Sequence, residues 1–270
     1  MAEIGIGIIG AGGRMGQALV REVTQSAGGR VVAAIERAGH AALASDAGAV
    51  AGIEPLGVVI GEDAEALFAA ADAVLEFSSP ESSLAHARIA AAAGTVHVIG
   101  TTGMDAAQEA ALGDAAKGAA IVWAPNMSVG VNLLLALTER VAATLDETYD
   151  IEIVEMHHRH KIDAPSGTAL ALGRAAAAGR GVALDDVSDR GRDGVTGARK
   201  PGDIGFAVLR GGDVVGEHSV VFATDGERIE LTHKAGSRRI FAAGAVRAAL
   251  WAHGKPPGLY GMRDVLGLAD

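Results

Sequence analysis

Short apolar runs set between helix-forming stretches dominate the first half of the chain. Ile4–Ile9 alternates Ile with Gly and stops at Gly10, the mark of a short buried strand. Arg14 to about Ala27 carries helix formers. Val31–Ile35, Val58–Ile60, Ala73–Phe77, Val96–Ile99 and Ala120–Trp123 are further apolar runs of strand length, separated by alanine-rich segments of helical content. Ser79-Pro80-Glu81 supplies a helix start: a capping hydroxyl, then Pro at the first helical position. Strands alternating with helices predict an α/β domain, with a parallel sheet covered on both faces.

The pattern changes near Asn126. Val129–Leu145 reads as one long helix, Ile151–His157 as a strand and Ser166–Ala178 as a helix. Asp185–Pro201 is polar and rich in Gly and Arg, and predicts a loop. Ile204–Arg210, Val214–Ala223 and Arg228–His233 follow, joined by Gly211-Gly212 and Asp225-Gly226. Those dipeptides are hairpin signals, so this α+β part is expected to hold an open, mostly antiparallel sheet. Ile240–His253 reads as a last helix, before a Pro-Gly break and a short tail. An open sheet needs cover on its second face, from helices or from another subunit.

Composition narrows the chemistry. The 270 residues contain no cysteine, which excludes disulfides, a thiol nucleophile and a zinc–thiolate site. The formal charge is −10, which argues against nucleic-acid binding and makes any basic cluster a local feature. The first residues lack a basic segment and a long apolar core, so no signal peptide is expected. No apolar run reaches the roughly 18 residues of a membrane span. The expectation is a cytoplasmic protein.

Two stretches carry candidate chemistry. Gly10-Ala11-Gly12-Gly13-Arg14-Met15-Gly16 follows the first strand and opens a helix, the context of a Rossmann-type dinucleotide loop. Its glycines allow a tight turn and a close approach to a pyrophosphate, which the helix N-terminus attracts. The third small residue falls at Gly16, one place later than the usual spacing. Glu36 ends the second strand and can accept hydrogen bonds from the ribose of NAD, while Arg37 can pair with the 2′-phosphate of NADP. A plain tight turn and a surface Glu-Arg pair are the alternatives.

The second stretch is EMHHRHKIDAPSGTA, Glu155 to Ala169. On an extended strand Glu155, His157 and Arg159 share one face, and Met156, His158 and His160 the other. A metal site, a solvated basic loop and an anion pocket are all open readings. Arg159 and Lys161 disfavour a cation. Ser166 is a good N-cap, and the Ser166-Gly167-Thr168 turn presents amides and a hydroxyl at a helix start, which favours a carboxylate ligand. A histidine there is a plausible proton donor.

With these residues in view, the chain resembles the bacterial 4-hydroxy-tetrahydrodipicolinate reductases, also called dihydrodipicolinate reductases, of the diaminopimelate route to lysine. GAGGRMG, IGTTG, APNMSVGVN, EMHHRHKIDAPSGTA and GFAVLRGGDVVGEH carry the resemblance, which spans nearly the whole chain. It implies NADH or NADPH as cofactor. Gly10, Ala11, Gly12, Gly13, Arg14 and Met15 would wrap the pyrophosphate, with Glu36 on the ribose and Arg37 near a 2′-phosphate. Gly100, Thr101, Thr102, Ala124, Pro125, Asn126 and Met127 would line the nicotinamide side. Met127 stands where some members carry Phe. His157 resembles the proton donor and Lys161 a second one, while His158, Gly167 and Thr168 would bind a small dicarboxylate substrate. No resident metal is implied. The resemblance also implies a dinucleotide-binding domain over residues 1–128 joined by 239–270, a substrate-binding and oligomerisation domain over 129–238, and a homotetramer. Another NAD(P)-dependent dehydrogenase of amino-acid metabolism, or an NAD(P)H-sensing protein without turnover, are the alternatives.

Overall fold

The computed structural model describes residues 3–268. The chain divides into two compact units: Met1–Val129 with Arg238–Asp270, and Gly130–Ser237. In the first unit β1 (Ile4–Ile9), α1 (Arg14–Gln25), β2 (Gly29–Ile35), α2 (Ala47–Val50), β3 (Ile60–Gly61), α3 (Ala64–Ala70), β4 (Ala73–Glu76), α4 (Pro80–Ala93), β5 (Val96–Ile99), α5 (Ala106–Ala115) and β6 (Ala120–Trp123) succeed one another. In the second, α6 (Val129–Thr144) leads to β7 (Asp150–His157), α7 (Gly167–Gly179), α8 (Leu184–Val187), β8 (Ser188–Asp189), β9 (Ile204–Arg210), β10 (Gly216–Thr224) and β11 (Glu227–Ala235). The chain then returns to the first unit with α9 (Arg239–Ala252), β12 (Gly258–Tyr260) and α10 (Met262–Leu266).

The first unit is built on a seven-stranded sheet of order β12-β6-β5-β4-β1-β2-β3, its pairings all parallel. Alternate residues of each strand feed opposite layers. Ile8, Leu75, Val98 and Val122 pack with Leu19 and Val23 of α1 and with the alanines of α9. Ile9, Val74, Ile99 and Ile121 pack with Phe68 of α3, Ala87 of α4 and Leu112 of α5. This double cover is why the strands read as unbroken apolar runs. Helix starts follow their caps: the Ser79 hydroxyl accepts from the Ser82 amide before Pro80, and Asp105 forms a capping box with Gln108. The Pro-Gly break does not end the fold. The tail adds β12 at the sheet edge, beside β6, then α10, whose Met262 and Val265 are buried.

The second unit holds a five-stranded sheet, β11-β10-β7-β9-β8. One face, with Ile151, Ile153, Ile204, Val220 and Phe222, is buried under α6 and α7. Asp225-Gly226 does close the antiparallel hairpin between β10 and β11. Gly211-Gly212 closes none, a correction to the hairpin expected there. β7 lies between β9 and β10, antiparallel to β10 and parallel to β9, so the sheet is mixed. The glycine pair instead prolongs the β7–β9 pairing: the Gly211 amide donates to the His157 carbonyl (3.0 Å) and the Arg159 amide to the Gly212 carbonyl (3.2 Å). Residues 185–201 are not wholly loop, since α8 and β8 take the first of them. Beyond these, Arg192 and Arg199 fasten the segment through Glu152, Asp189 and Asp150 at 2.7–2.8 Å, which accounts for its arginine content.

Candidate active site

In a parallel sheet all the C-terminal strand ends lie on one edge, and ligands bind where the strand order reverses. Here the order runs one way from β1 to β2 and the other way from β1 to β4. The loops after β1, β2, β4, β5 and β6 leave this edge, and among them are all the segments expected to hold a dinucleotide. Gly10 takes the left-handed conformation (φ 72°), and its amide and that of Ala11 donate to the Ile35 carbonyl at 2.9 and 3.1 Å. A Cβ at Gly16 would stand 2.0 Å from the Gly10 carbonyl oxygen, so this glycine lets α1 pack against the turn despite its displaced spacing. A Cβ at Gly12 would stand 2.4 Å from the His40 ring. Gly13 leaves the start of α1 without a side-chain cap, and Arg14 is exposed. One Glu36 oxygen accepts the Gly12 amide (3.0 Å) and the other the Arg37 amide (3.0 Å), so the carboxylate stands against the glycine turn. Arg37 is exposed. Tight glycine turn, uncapped helix start and adjacent carboxylate together fit a dinucleotide.

On the other side of the reversal, Thr101 turns inward. Its hydroxyl pairs with that of Ser83 at 2.7 Å and accepts the Ser78 amide at 3.1 Å, while Trp123 donates to its carbonyl at 3.1 Å. Thr102 and Pro125 are exposed, and Ala124 and Met127 are buried. The Phe77 ring packs against Gly100, and Asn126 Oδ1 accepts the Ser128 amide at 2.9 Å. Beneath these loops Glu76 is fully buried and held by His86 Nδ1 (2.9 Å), His97 Nε2 (2.8 Å) and the Ser78 hydroxyl. Burial pushes its carboxyl up, but the hydrogen bonds from His86 and His97 outweigh that and bring it to about 2.

The second unit assembles the histidine block. Glu155 and His157 do share the buried face of β7, but the strand ends at His157. Arg159 is exposed, because the chain turns there, with the Lys161 amide on the His158 carbonyl (3.1 Å). Glu155 is 1% exposed. Its Oε2 meets His157 Nδ1 at 2.6 Å and accepts Arg210 Nη1 at 2.8 Å; its Oε1 accepts Arg210 Nη2 and the Ser166 amide, each at 3.0 Å. Burial raises the Glu155 carboxyl and these donors outweigh it, leaving it below the usual range. Burial holds the His157 imidazole below its ordinary value, opposed by Glu155 and reinforced by Lys161 and Arg210. His218 stacks edge-on to His157 at 5.1 Å, bonds the Ser166 hydroxyl at 2.9 Å, and is pushed down to about 4, chiefly by burial.

Ser166 caps α7 through the Ala169 amide (3.1 Å), which leaves Gly167 exposed and Thr168 half-buried at the helix start. Lys161 Nζ lies 2.8 Å from Asp163, and the His158 and His160 rings are 6.3 Å apart. His157 thus ends β7, His158 and Lys161 lie in the turn that follows, and Gly167 and Thr168 open α7, which the Ser166 amide ties to Glu155 of β7. Glu155 is saturated by donors, which removes it as a cation ligand. Among the described residues no group of three or more acidic, His or Cys side chains is arranged to hold a metal.

Residues 4–127 match the N-terminal domain, and residues 130–266 the C-terminal domain, of dihydrodipicolinate reductase. The chain belongs to the dihydrodipicolinate reductase family. It is 58% identical over the whole of both chains to a 4-hydroxy-tetrahydrodipicolinate reductase of Rhodopseudomonas palustris strain BisB18. It is 60% identical to that of Ruegeria pomeroyi, over 98% of each chain. Among solved structures, a dipicolinate-bound dihydrodipicolinate reductase from Paenisporosarcina sp. TG-14 superposes with a TM-score of 0.78 at 25% identity, covering 97% of this chain and 99% of that one.

Ser83 lies outside every quoted motif, and Arg210 and His218 fall within GFAVLRGGDVVGEH, where the sequence alone assigns neither a role. A single cue exists in the sequence: Arg210 closes the apolar run Ile204–Leu209, and a charged residue at the end of such a strand needs a partner.

Proposed function

We propose that this chain reduces 4-hydroxy-tetrahydrodipicolinate to tetrahydrodipicolinate, with loss of water and oxidation of NADH or NADPH, in the diaminopimelate route to lysine. The observation that carries the reading is an imidazole, His157, held by a buried carboxylate beside Lys161 and the exposed start of α7. Gly10 to Met15 hold the pyrophosphate, Glu36 the ribose and Arg37 a 2′-phosphate. Gly100, Thr101, Thr102 and Ala124 to Met127 border the nicotinamide. The dinucleotide supplies a hydride when bound.

The chain's own residues then manage charge and protons. The Gly167 and Thr168 amides and His158 hold the substrate carboxylates; a helix start favours an anion by about 0.3–1 kcal/mol at an exposed site. The two carboxylates of the substrate raise the His157 imidazole, which burial otherwise holds down, so that it is charged when substrate is in place. His157 gives its proton as negative charge develops on the ring, and Lys161 stabilises that charge and serves as the second donor.

Two further readings belong to the proposal. Val154, Met156, Ala207, Leu209 and Val221 share the sheet face turned away from α6 and α7, and Leu209 is half exposed, which supports a homotetramer assembled through this sheet. The cytoplasmic location expected from the sequence belongs to the same proposal; among the described residues no helix is long and apolar enough to cross a membrane. The direct test follows nicotinamide absorbance with freshly prepared 4-hydroxy-tetrahydrodipicolinate. Oxidation of NADH or NADPH is expected; cofactor binding without oxidation would support a sensor and reject the reductase.

A further inference from the structure

We infer that Glu155 is the positioning residue for proton donation: clamped by Arg210 and the Ser166 amide, it holds His157 with the proton on Nδ1 and leaves Nε2 as the face that donates. The inference rests on the reading of His157 as proton donor and adds the device that sets its tautomer.

Four donor atoms meet the two oxygens of Glu155, and they come from three places in the chain. Arg210 arrives from β9 as a two-pronged clamp, fixed in turn by the carbonyls of Leu209 and Asp163 at 2.7 Å each. Ser166 brings the start of α7, and His157 brings the end of β7. An ionised carboxylate only accepts, so the 2.6 Å contact requires a hydrogen on His157 Nδ1. Both oxygens are then filled, which leaves Glu155 no lone pair for a substrate: it acts through His157. The opposite ring edge has room, because Gly216 faces it. A Cβ there would stand 3.0 Å from Nε2. His157 side-chain exposure is 11%, so one edge of a largely enclosed ring reaches the outside.

The charged and titratable groups around His157 are Glu155 on its own strand, Arg210 from β9, His218 from β10, and Lys161, paired with Asp163, from the following turn. Of these only Glu155 lies against the ring and favours the imidazolium. Without its charge, burial, Arg210 and Lys161 act together to drive the proton off. The tautomer is affected too. A Gln at 155 can donate its amide to Nδ1 and so place the neutral ring's hydrogen on Nε2.

The experiment is histidine-selective 15N NMR across pH on the full-length protein, wild type and E155Q, beside steady-state kinetics of both. In the wild type His157 is expected to lose its Nε2 proton and keep the one on Nδ1. In E155Q its titration should move down by about one pH unit or more, taking the limb of kcat with it. Turnover at neutral pH then falls about tenfold or more. The KM for the dinucleotide should hardly change, and E155D, which keeps the charge, should recover part of the titration. An Nε2–H neutral tautomer in the wild type, or an unmoved His157 titration in folded E155Q, overturns the inference. If E155Q does not fold, the wild-type tautomer decides alone. His157→Gln at the wild-type rate would instead reject the donor reading, and would leave the tautomer result standing.

Discussion

Glu76 in the first unit and Glu155 in the second begin from the same local design. Each lies at or near the end of a strand, each is essentially unexposed, and each meets imidazole nitrogens at 2.6–2.9 Å. They differ in what the imidazoles can reach. The His97 side chain is fully enclosed, edge-on to Phe68 at 5.3 Å, and Glu76 is completed by His86 and a serine hydroxyl. His157 keeps one edge open, stands beside Lys161, and has its carboxylate clamped by a guanidinium. His86, the other partner of Glu76, is 18% exposed, against 11% for His157, so exposure alone does not separate the two pairs. A pair with one open nitrogen beside Lys161 can pass a proton to a bound anion. What adjoins the open imidazole, more than the pairing itself, separates structure from chemistry.

The largest effect that follows is on turnover. His157→Gln should lower kcat by roughly 10²–10⁴-fold, the usual worth of a general acid, with little change in dinucleotide affinity. His97→Gln should spare kcat far more, and instead lower stability by roughly 1.5–3 kcal/mol, the value of a hydrogen bond to a buried charge. Rates and melting temperatures of the two variants measure this; equal losses of kcat would erase the contrast.

A smaller effect separates the units by pH. His218 is neutral in the fold down to about 4, against 6.5 for a free imidazole. The unfolded chain therefore binds the proton first, and stability falls as pH drops from 6.5 towards 4. Glu76 is lowered from 4.5 to about 2, so its contribution is present above 4.5 and is lost between 4.5 and 2. Either span amounts to roughly 3 kcal/mol. Both tryptophans, Trp123 and Trp251, lie in the first unit, so their fluorescence reports on it alone. On acidification, hydrogen exchange within Gly130–Ser237 should quicken before tryptophan fluorescence changes. The reverse order would contradict the assignment of these two groups.

Local signals in the sequence already located β5 at Val96–Ile99, β6 at Ala120–Trp123 and the Ser79 and Ser166 caps, because each rests on periodicity or on a side chain within a few residues. The glycine turn and the histidine block were legible for the same reason. Gly211-Gly212 misled because turn chemistry is local while strand order is not: β7, made some fifty residues earlier, takes the place beside β10. The clamp on Glu155 was hidden by distance as well, since Arg210 lies 55 residues away in sequence. Thr101 reads as part of a ligand loop, yet packing directs its hydroxyl to Ser83.

The proposed reaction needs a dicarboxylate held at the start of α7 beside His157, and a crystal structure of the protein with dipicolinate bound tests that most directly. It should place the ligand carboxylates on the Gly167 and Thr168 amides and on His158, with His157 Nε2 within hydrogen-bond reach, about 2.6–3.2 Å. Dipicolinate seated elsewhere on the chain, or a divalent ion coordinated between Glu155 and Thr168, would contradict it.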